Sequence, residues 1–173
     1  MYTLALDLST KSSGWAIYNN QNLIDYGCIT ASSPVLFNRI DKMTKEIGEL
    51  FNKYDITKVA IEDVIPEDVQ HNQTIFKALV YLQGFILREI KSHSNVKEIK
   101  FFVASEWRKK CGIRTGKGIK RESLKPADIA FVKNQFNLSV NDDVADAICI
   151  GFAFVGGIIK ESQSFVKDDF EFA

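Results

Sequence analysis

Four acidic residues stand where this sequence otherwise calls for apolar side chains. Asp7 interrupts the run Leu4-Ala5-Leu6-Asp7-Leu8, which reads as a buried first strand. Burying an ionised carboxylate costs several kcal/mol unless it is paired or bound to a metal. Glu62 closes a second apolar run, Val59-Ala60-Ile61. Asp143 and Asp146 are three residues apart in a stretch that is otherwise Val144, Ala145, Ala147, Ile148 and Ile150, so on a helix they share one face. Four converging carboxylates raise each other's pKa until some protonate. A hard divalent cation removes that penalty, and Mg²⁺ prefers carboxylate oxygens and water. Two such ions, about 3.5–4 Å apart, clamp the attacking and leaving oxygens of an in-line phosphoryl displacement. The chemistry expected is therefore metal-dependent phosphodiester hydrolysis by water, with no protein nucleophile.

Each acid also has a local reading. Asp142 or Asp143 can cap the helix and complement its dipole. Asp7 can pair with a buried Arg or Lys, and Glu62 can be an exposed strand end with Asp63 as the solvated acid. The joint occurrence of a first-strand Asp, a fourth-strand Glu and a late-helix Asp pair favours one shared site.

Positioning these acids takes a definite set of elements. Tyr2 to Leu8, Trp15 to Tyr18 and Leu23 to Thr30 read as strands separated by turn chemistry, an antiparallel meander. Ser33-Pro34 reads as a helix start, followed by Leu36, Ile40, Met43, Ile47, Leu50 and Tyr54 at helical spacing. Thr57 to Glu62 is a fourth strand. A polar link runs from Pro66 to Gln73. Ile75, Ala78, Leu79, Leu82, Ile86 and Ile90 mark a second helix, and Val96 to Val103 a fifth strand. Lys125 to Asn137 is helical with Pro126 in its first turn. A last helix runs from about Asn141 or Asp142 to Phe154. The order βββαβαβαα predicts an α/β fold, a five-stranded mixed sheet with helices on both faces. Residues 1–157 are expected to form one domain and 158–173 an acidic tail.

Composition narrows the partners. The 173 residues are 46% hydrophobic and 12% aromatic, enough for a core, with 22 basic and 22 acidic side chains. Bulk charge thus points to no partner, but its distribution does. Residues 107–125 carry Arg108, Lys109, Lys110, Arg114, Lys117, Lys120, Arg121 and Lys125 against Glu122 alone. Such a segment is either a solvated loop or a phosphate-binding patch. The three cysteines, Cys28, Cys111 and Cys149, show no metal-ligand spacing and suit free thiols in a reducing compartment. No signal peptide and no apolar run of about 18 residues is present, so a cytoplasmic location is expected and no membrane partner.

The ordered motifs resemble the RuvC family of Holliday junction resolvases, within the RNase H-like superfamily. Leu6-Asp7-Leu8-Ser9-Thr10-Lys11-Ser12-Ser13-Gly14-Trp15-Ala16-Ile17 is similar to the first motif of that family. Ala60-Ile61-Glu62-Asp63-Val64 is similar to the second, and Asn141-Asp142-Asp143-Val144-Ala145-Asp146-Ala147 to the last. Asn72 through Gly84 has the spacing of the helix between them. The resemblance implies a homodimer with one active site per subunit, each nicking one strand of a four-way DNA junction. It implies two Mg²⁺ ions per site, replaceable by Mn²⁺, held by Asp7, Glu62, Asp143 and Asp146, and no nucleotide cofactor. It also implies basic residues near the scissile phosphate, here drawn from Arg108, Lys109, Arg114, Lys117, Lys120 and Arg121. Trp107-Arg108 falls where the family has an apolar residue and Lys, and Arg121-Glu122 where it has Lys-Glu. Departures are Leu8-Ser9 in place of Pro-Gly after the first Asp, and Ile65 where some members stack a Phe on a base. The acidic tail is also unlike the core family, as in short bacteriophage-borne relatives that would act in a bacterial host cytosol.

Rival readings are an ATP-binding module of the actin/Hsp70 type, for which the chain is too short, a nuclease for RNA in RNA/DNA hybrids, and a non-catalytic junction binder. For a dimer face, Phe76, Val80, Tyr81 and Phe85 lie off the second helix's main apolar stripe and need burial elsewhere.

Overall fold

The computed structural model of the chain describes residues 1–66 and 72–159. Its elements are β1 (Tyr2–Asp7), β2 (Ser12–Asn19), β3 (Asn22–Thr30), α1 (Leu36–Lys53), β4 (Ile56–Glu62), α2 (Gln73–Ser92), β5 (Glu98–Phe102), α3 (Ala104–Lys110), α4 (Leu124–Phe136) and α5 (Asp142–Val155), with a 3₁₀ turn at Arg121–Ser123. They form one five-stranded sheet in the order β3-β2-β1-β4-β5. The first three strands pair antiparallel, β4 lies parallel to β1, and β5 lies parallel to β4. This is the mixed sheet that the pattern predicts.

The two faces of the sheet differ in side-chain size, and that difference builds the site. Side chains alternate along a strand. Leu4, Leu6, Ile17, Val59 and Ile61 point to one face and pack on Ile40, Met43 and Ile47 of α1 and Leu82, Ile86 and Ile90 of α2. Ala5, Ala16 and Ala60 point to the other face, against Ala145, Ile148 and Phe152 of α5. Small residues on this second face let α5 come close. A Cβ at Gly151 would stand 2.3 Å from the Tyr18 ring and 3.1 Å from the Ala5 methyl. Tyr18 crosses this layer fully buried, and its hydroxyl donates to the Ile148 carbonyl at 2.7 Å.

Several boundaries differ from expectation for identifiable reasons. Helix α1 begins at Leu36, not at Ser33-Pro34, because the Ser33 hydroxyl accepts from the Val35 amide at 3.2 Å and closes a turn ahead of the helix. Asp7 ends β1 instead of lying mid-strand. The core stripe of α2 starts at Leu82, and Ile75 is exposed. The basic segment, expected as a loop from residue 107, opens inside a short helix, α3, whose Trp107 and Arg108 are buried. Asn141 caps α5 by accepting from the Val144 amide at 3.0 Å, which leaves Asp142 to pair with Lys125. Most of the predicted polar link and of the acidic tail, residues 67–71 and 160–173, lie outside the described residues.

Candidate active site

Asp7 and Glu62 sit at matching places on neighbouring strands. Leu6 pairs with Ile61 in the parallel β1–β4 ladder, so each acid stands one residue further, at the C-terminal end of its strand. Each follows an alanine, Ala5 or Ala60, by two positions and therefore lies on the α5 side of the sheet. On the other flank Asp7 pairs with Gly14 of β2. A Cβ at Gly14 would come within 1.9 Å of the Asp143 carbonyl oxygen, so the first turn of α5 rests directly on β2 beside Asp7. The Gly14 hydrogen and the alanine layer together bring two short side chains, Asp143 and Asp146, to the side of the sheet on which the strand-end acids stand.

The electrostatics record that convergence. Burial pushes the Asp7 carboxyl well above the usual carboxylate range, and the charges of Glu62 and Asp143 push it further. Lys125 and Arg108 offset part of the rise. Asp146 is pushed up to about 9, first by burial and then by the charges of Asp7 and Asp128, with Arg108 acting in the opposite direction. One Asp146 oxygen, Oδ1, is buried and has no hydrogen-bond partner. Such an orphaned acceptor is costly unless something positive meets it.

Neighbouring side chains hold the other acids. The Ser12 hydroxyl donates to Asp143 Oδ2. The Trp107 indole Nε1–H donates to Glu62 Oε2 at 2.7 Å. Behind Asp146 lies a buried ion pair that the sequence reading missed. Arg108 Nε donates to both oxygens of Asp128, at 3.1 and 3.0 Å, and Nη2 donates to Oδ2 at 2.8 Å. The same Nη2 stands 4.0 Å from Asp146 Oδ2. Asp128 is completely buried. A signal for it existed in the sequence, since it shares a helical face with Val132 and Gln135, both buried.

The donor set suits a hard divalent cation, because all four candidates are carboxylates and one presents an unpartnered buried oxygen. As arranged, however, no group of three His, Cys, Asp or Glu side chains among the described residues is gathered closely enough to hold a metal ion. The four acids thus match a hard cation in donor type but are not gathered into a ligand cluster in this arrangement, in which Trp107 holds Glu62 and Ser12 holds Asp143.

The expected phosphate contacts divide. Lys109 is exposed in the last turn of α3, Arg114, Lys117 and Lys120 are exposed on the segment joining α3 to α4, and Arg121 opens the 3₁₀ turn. Arg108 is different: its guanidinium is spent on Asp128, so it is a buttress of the acids and not a surface cation. Lys125, not singled out as a site residue from sequence, pairs with Asp142, and its charge also acts favourably on Asp7, Asp146 and Asp143.

No model of a known protein family matches the sequence, and no curated protein is matched by it. Solved structures do match the fold. The Thermus thermophilus RuvC structure in complex with Holliday junction substrate superposes with a TM-score of 0.72 at 12% identity, covering 90% of this chain and 93% of that one. The Fowlpox virus resolvase in complex with Holliday junction DNA gives 0.55 at 15% identity, over 90% of this chain and 97% of that one. The yeast mitochondrial Holliday junction resolvase gives 0.58 at 11% identity, over 89% and 78%. With the sheet order, the placement of α1 and α2 on one face and α3 to α5 on the other, and this likeness taken together, the chain has a RuvC-like fold.

Proposed function

We propose that this chain is a metal-dependent endonuclease that resolves four-way DNA junctions by paired nicks. The observation that carries the reading is the placing of Asp7 and Glu62 at adjacent parallel strand ends, facing Asp143 and Asp146 on α5, in a fold shared with junction resolvases. Asp7, Glu62, Asp143 and Asp146 would hold two Mg²⁺ or Mn²⁺ ions, which when bound supply charge neutralisation, an activated water and support for the leaving oxygen. The remaining work falls to the chain's own side chains. Trp107 orients Glu62, Ser12 orients Asp143, and the Arg108–Asp128 pair places positive charge behind Asp146. Exposed Lys109, Arg114, Lys117 and Lys120, with Arg121, would contact phosphates and position the backbone without reading sequence.

A synthetic four-way junction incubated with the protein in Mg²⁺ should be nicked symmetrically in two opposed strands. Faster cutting of an RNA/DNA hybrid would move the protein to the hybrid-nuclease reading. Tight junction binding with no nicking in either metal would make it a junction binder.

Trp107→Phe tests the orientation of Glu62. It keeps the buried ring and removes only the Nε1–H donor. Stability should fall by about 1 kcal/mol, as for one hydrogen bond. Single-turnover nicking should fall by about tenfold, since a loosened ligand costs roughly 10–100-fold in affinity or activity. A rate within twofold of wild type would remove Trp107 from the site.

Paired nicks need two sites, and α2 offers a surface for a second copy. Tyr81 and Phe85 of α2 are exposed and gather against exposed Phe37 of α1, with ring centroids 6.1 and 6.2 Å apart. Val80 is exposed beside them, and Phe76 is half-buried. Monomeric soluble proteins rarely expose a contiguous apolar patch of this kind. Sedimentation should show a dimer at micromolar concentration, and Tyr81→Asp/Phe85→Asp should give a folded monomer whose two nicks become uncoupled. A dimer that survives the double substitution would place the interface elsewhere.

A further inference from the structure

A second cationic site lies on the other side of the carboxylates from the Lys109–Lys120 segment. A cavity of about 460 Å³ opens between the end of β3, the β1–β2 turn and α1, lined by Lys11, Arg39, Lys42, Thr30, Ser32 and Ser33. That volume lies within the range of small-ligand pockets. Its lining holds three cations and three hydroxyls, and no acidic side chain.

Arg39 and Lys42 are held by backbone carbonyls, and Lys11 is placed by its main chain alone. Arg39 Nε donates to the Thr10 carbonyl at 3.1 Å and Nη1 to the Ser33 carbonyl at 2.7 Å. Lys42 Nζ donates to the Thr30 carbonyl at 2.6 Å, and the Lys11 carbonyl accepts from the Ala31 amide at 2.9 Å. Carbonyls orient a cation but leave its charge uncompensated. Glu46, 3.5 Å from Lys42, is the one carboxylate paired with these three among the described residues. Helix α1, which carries Arg39 and Lys42, has no acid in its first turn, so its own positive end adds to the field. The net result is a preorganised, positively charged cavity with hydroxyl donors, which is the chemistry of a phosphate site.

Its position selects the source of the phosphate. Lys11 is followed by Ser12, whose hydroxyl holds Asp143, and Ser12 pairs across the ladder with Thr30 of the cavity wall. Adjacent strands are about 4.8 Å apart. The cavity wall therefore stands one strand from the residue that holds Asp143, at the β3 edge of the sheet, with α1 on the face opposite α5. We propose that Lys11, Arg39 and Lys42 form a phosphate pocket that grips the DNA backbone on the β3 side of the carboxylates, so that the bound strand is anchored on both flanks of the reacting phosphate. This rests on the nuclease reading given above.

The test uses Lys11→Gln, Lys42→Gln and their double variant, since Arg39 also ties the Thr10 and Ser33 carbonyls and its loss would disturb the turn. Junction binding is measured by fluorescence anisotropy in EDTA across a range of NaCl, with single-turnover nicking at saturating protein and urea denaturation alongside. The double variant should bind about tenfold or more weakly at 100 mM salt, with a slope of log K against log salt shallower by about 1–2, as expected for one or two lost phosphate contacts. Its saturated nicking rate should stay within about twofold of wild type, and its denaturation midpoint should fall only slightly, since the bonds of Lys42 to the Thr30 carbonyl and to Glu46 are exposed. Wild-type affinity and slope in the double variant would overturn the proposal. If wild type neither binds nor nicks branched DNA, the nuclease reading fails, and the DNA role of the pocket fails with it. A junction that is bound but not nicked defeats the nuclease reading alone, because the salt slopes still judge the pocket. A titration with inorganic phosphate, followed by amide shifts at Lys11 and Arg39, separates the sources. Shifts in wild type together with unimpaired DNA binding in the double variant would assign the pocket to free phosphate and overturn the DNA role.

Discussion

Asp146→Asn is expected to stabilise the metal-free protein and to stop it cutting DNA. The Asp146 carboxyl is raised from 3.8 to about 9, chiefly by burial and then by Asp7 and Asp128. An acid whose native pKa lies above its unfolded value keeps a proton that the unfolded chain releases. Native stability is then undiminished below pH about 4 and is lost as pH rises toward about 9. At pH 7 the loss amounts to about 1.36 kcal/mol for each of roughly three units, on the order of 4 kcal/mol. Asn at this position removes the ionisable group while keeping the shape. In EDTA, the resistance of wild type to denaturation should fall steadily between pH 4 and pH 9, and that of the variant should change much less. At pH 7 the variant should be more stable by about 2–4 kcal/mol, which for a chain of this size is roughly 2–4 °C of Tm per kcal/mol. Mg²⁺ or Mn²⁺ should raise the Tm of wild type, because a ligand of the native state alone stabilises it, and should raise that of the variant little. Nicking should fall by at least about a thousandfold, as when a group that stabilises transition-state charge is lost, with junction binding retained. Asp7→Asn should behave in the same sense, since its carboxyl is also pushed well up by burial, Glu62 and Asp143. A variant less stable than wild type at pH 7 in EDTA, or one that still cuts at the wild-type rate, would disprove the reading of these acids as a site that is costly without cations.

The second large effect comes from the pair behind the site. Asp128→Ala leaves the Arg108 guanidinium buried without its carboxylate, and breaking one side of a buried pair costs about 3–5 kcal/mol. The side chain of Asp128 is fully buried and that of Arg108 only 10% exposed, so solvent screens little of this. Replacing both residues, as Arg108→Met/Asp128→Leu, should recover most of the lost stability, because the desolvation cost of both charges disappears. Nicking should not recover, because Asp146 then lacks the guanidinium 4.0 Å away. The two readouts, urea denaturation and single-turnover nicking, thus separate a structural role from a positioning one. Parallel recovery of stability and activity in the double variant would make the pair purely structural.

The contrast between Asp146 and Asp128 shows which parts of the candidate site the chain announces. Asp7, Glu62, Asp143 and Asp146 are legible because each breaks an apolar pattern whose period is visible in one dimension. Asp128 breaks one too, on the stripe it shares with Val132 and Gln135, but its partner lies 20 residues away on a different helix. Arg108 misleads because it sits within a run of basic residues. Composition there describes Lys109, Lys110 and Lys117 well and describes Arg108 wrongly, since α3 turns that one side chain inward while its neighbours face solvent.

Element type and order follow from hydrophobic period alone. The alternating strands, the 3.6-residue stripe of α1 and the apolar run of α5 each need only local side-chain preference and burial on one face. Motif order adds the fold and the four acids. Tertiary structure alone decided everything that depends on approach distance. Small residues at Ala5, Gly14, Ala16 and Ala60 are unremarkable in a strand, yet their lack of bulk brings α5 onto the sheet and puts Asp143 and Asp146 within range of the Asp7 charge. The Trp107–Glu62 bond, the Arg108–Asp128 buttress and the Lys11–Arg39–Lys42 cavity likewise join residues from separate elements. Periodicity reports which face a side chain lies on, whereas charge and hydrogen bonding depend on what stands a few ångströms away, and that is set only when the layers pack.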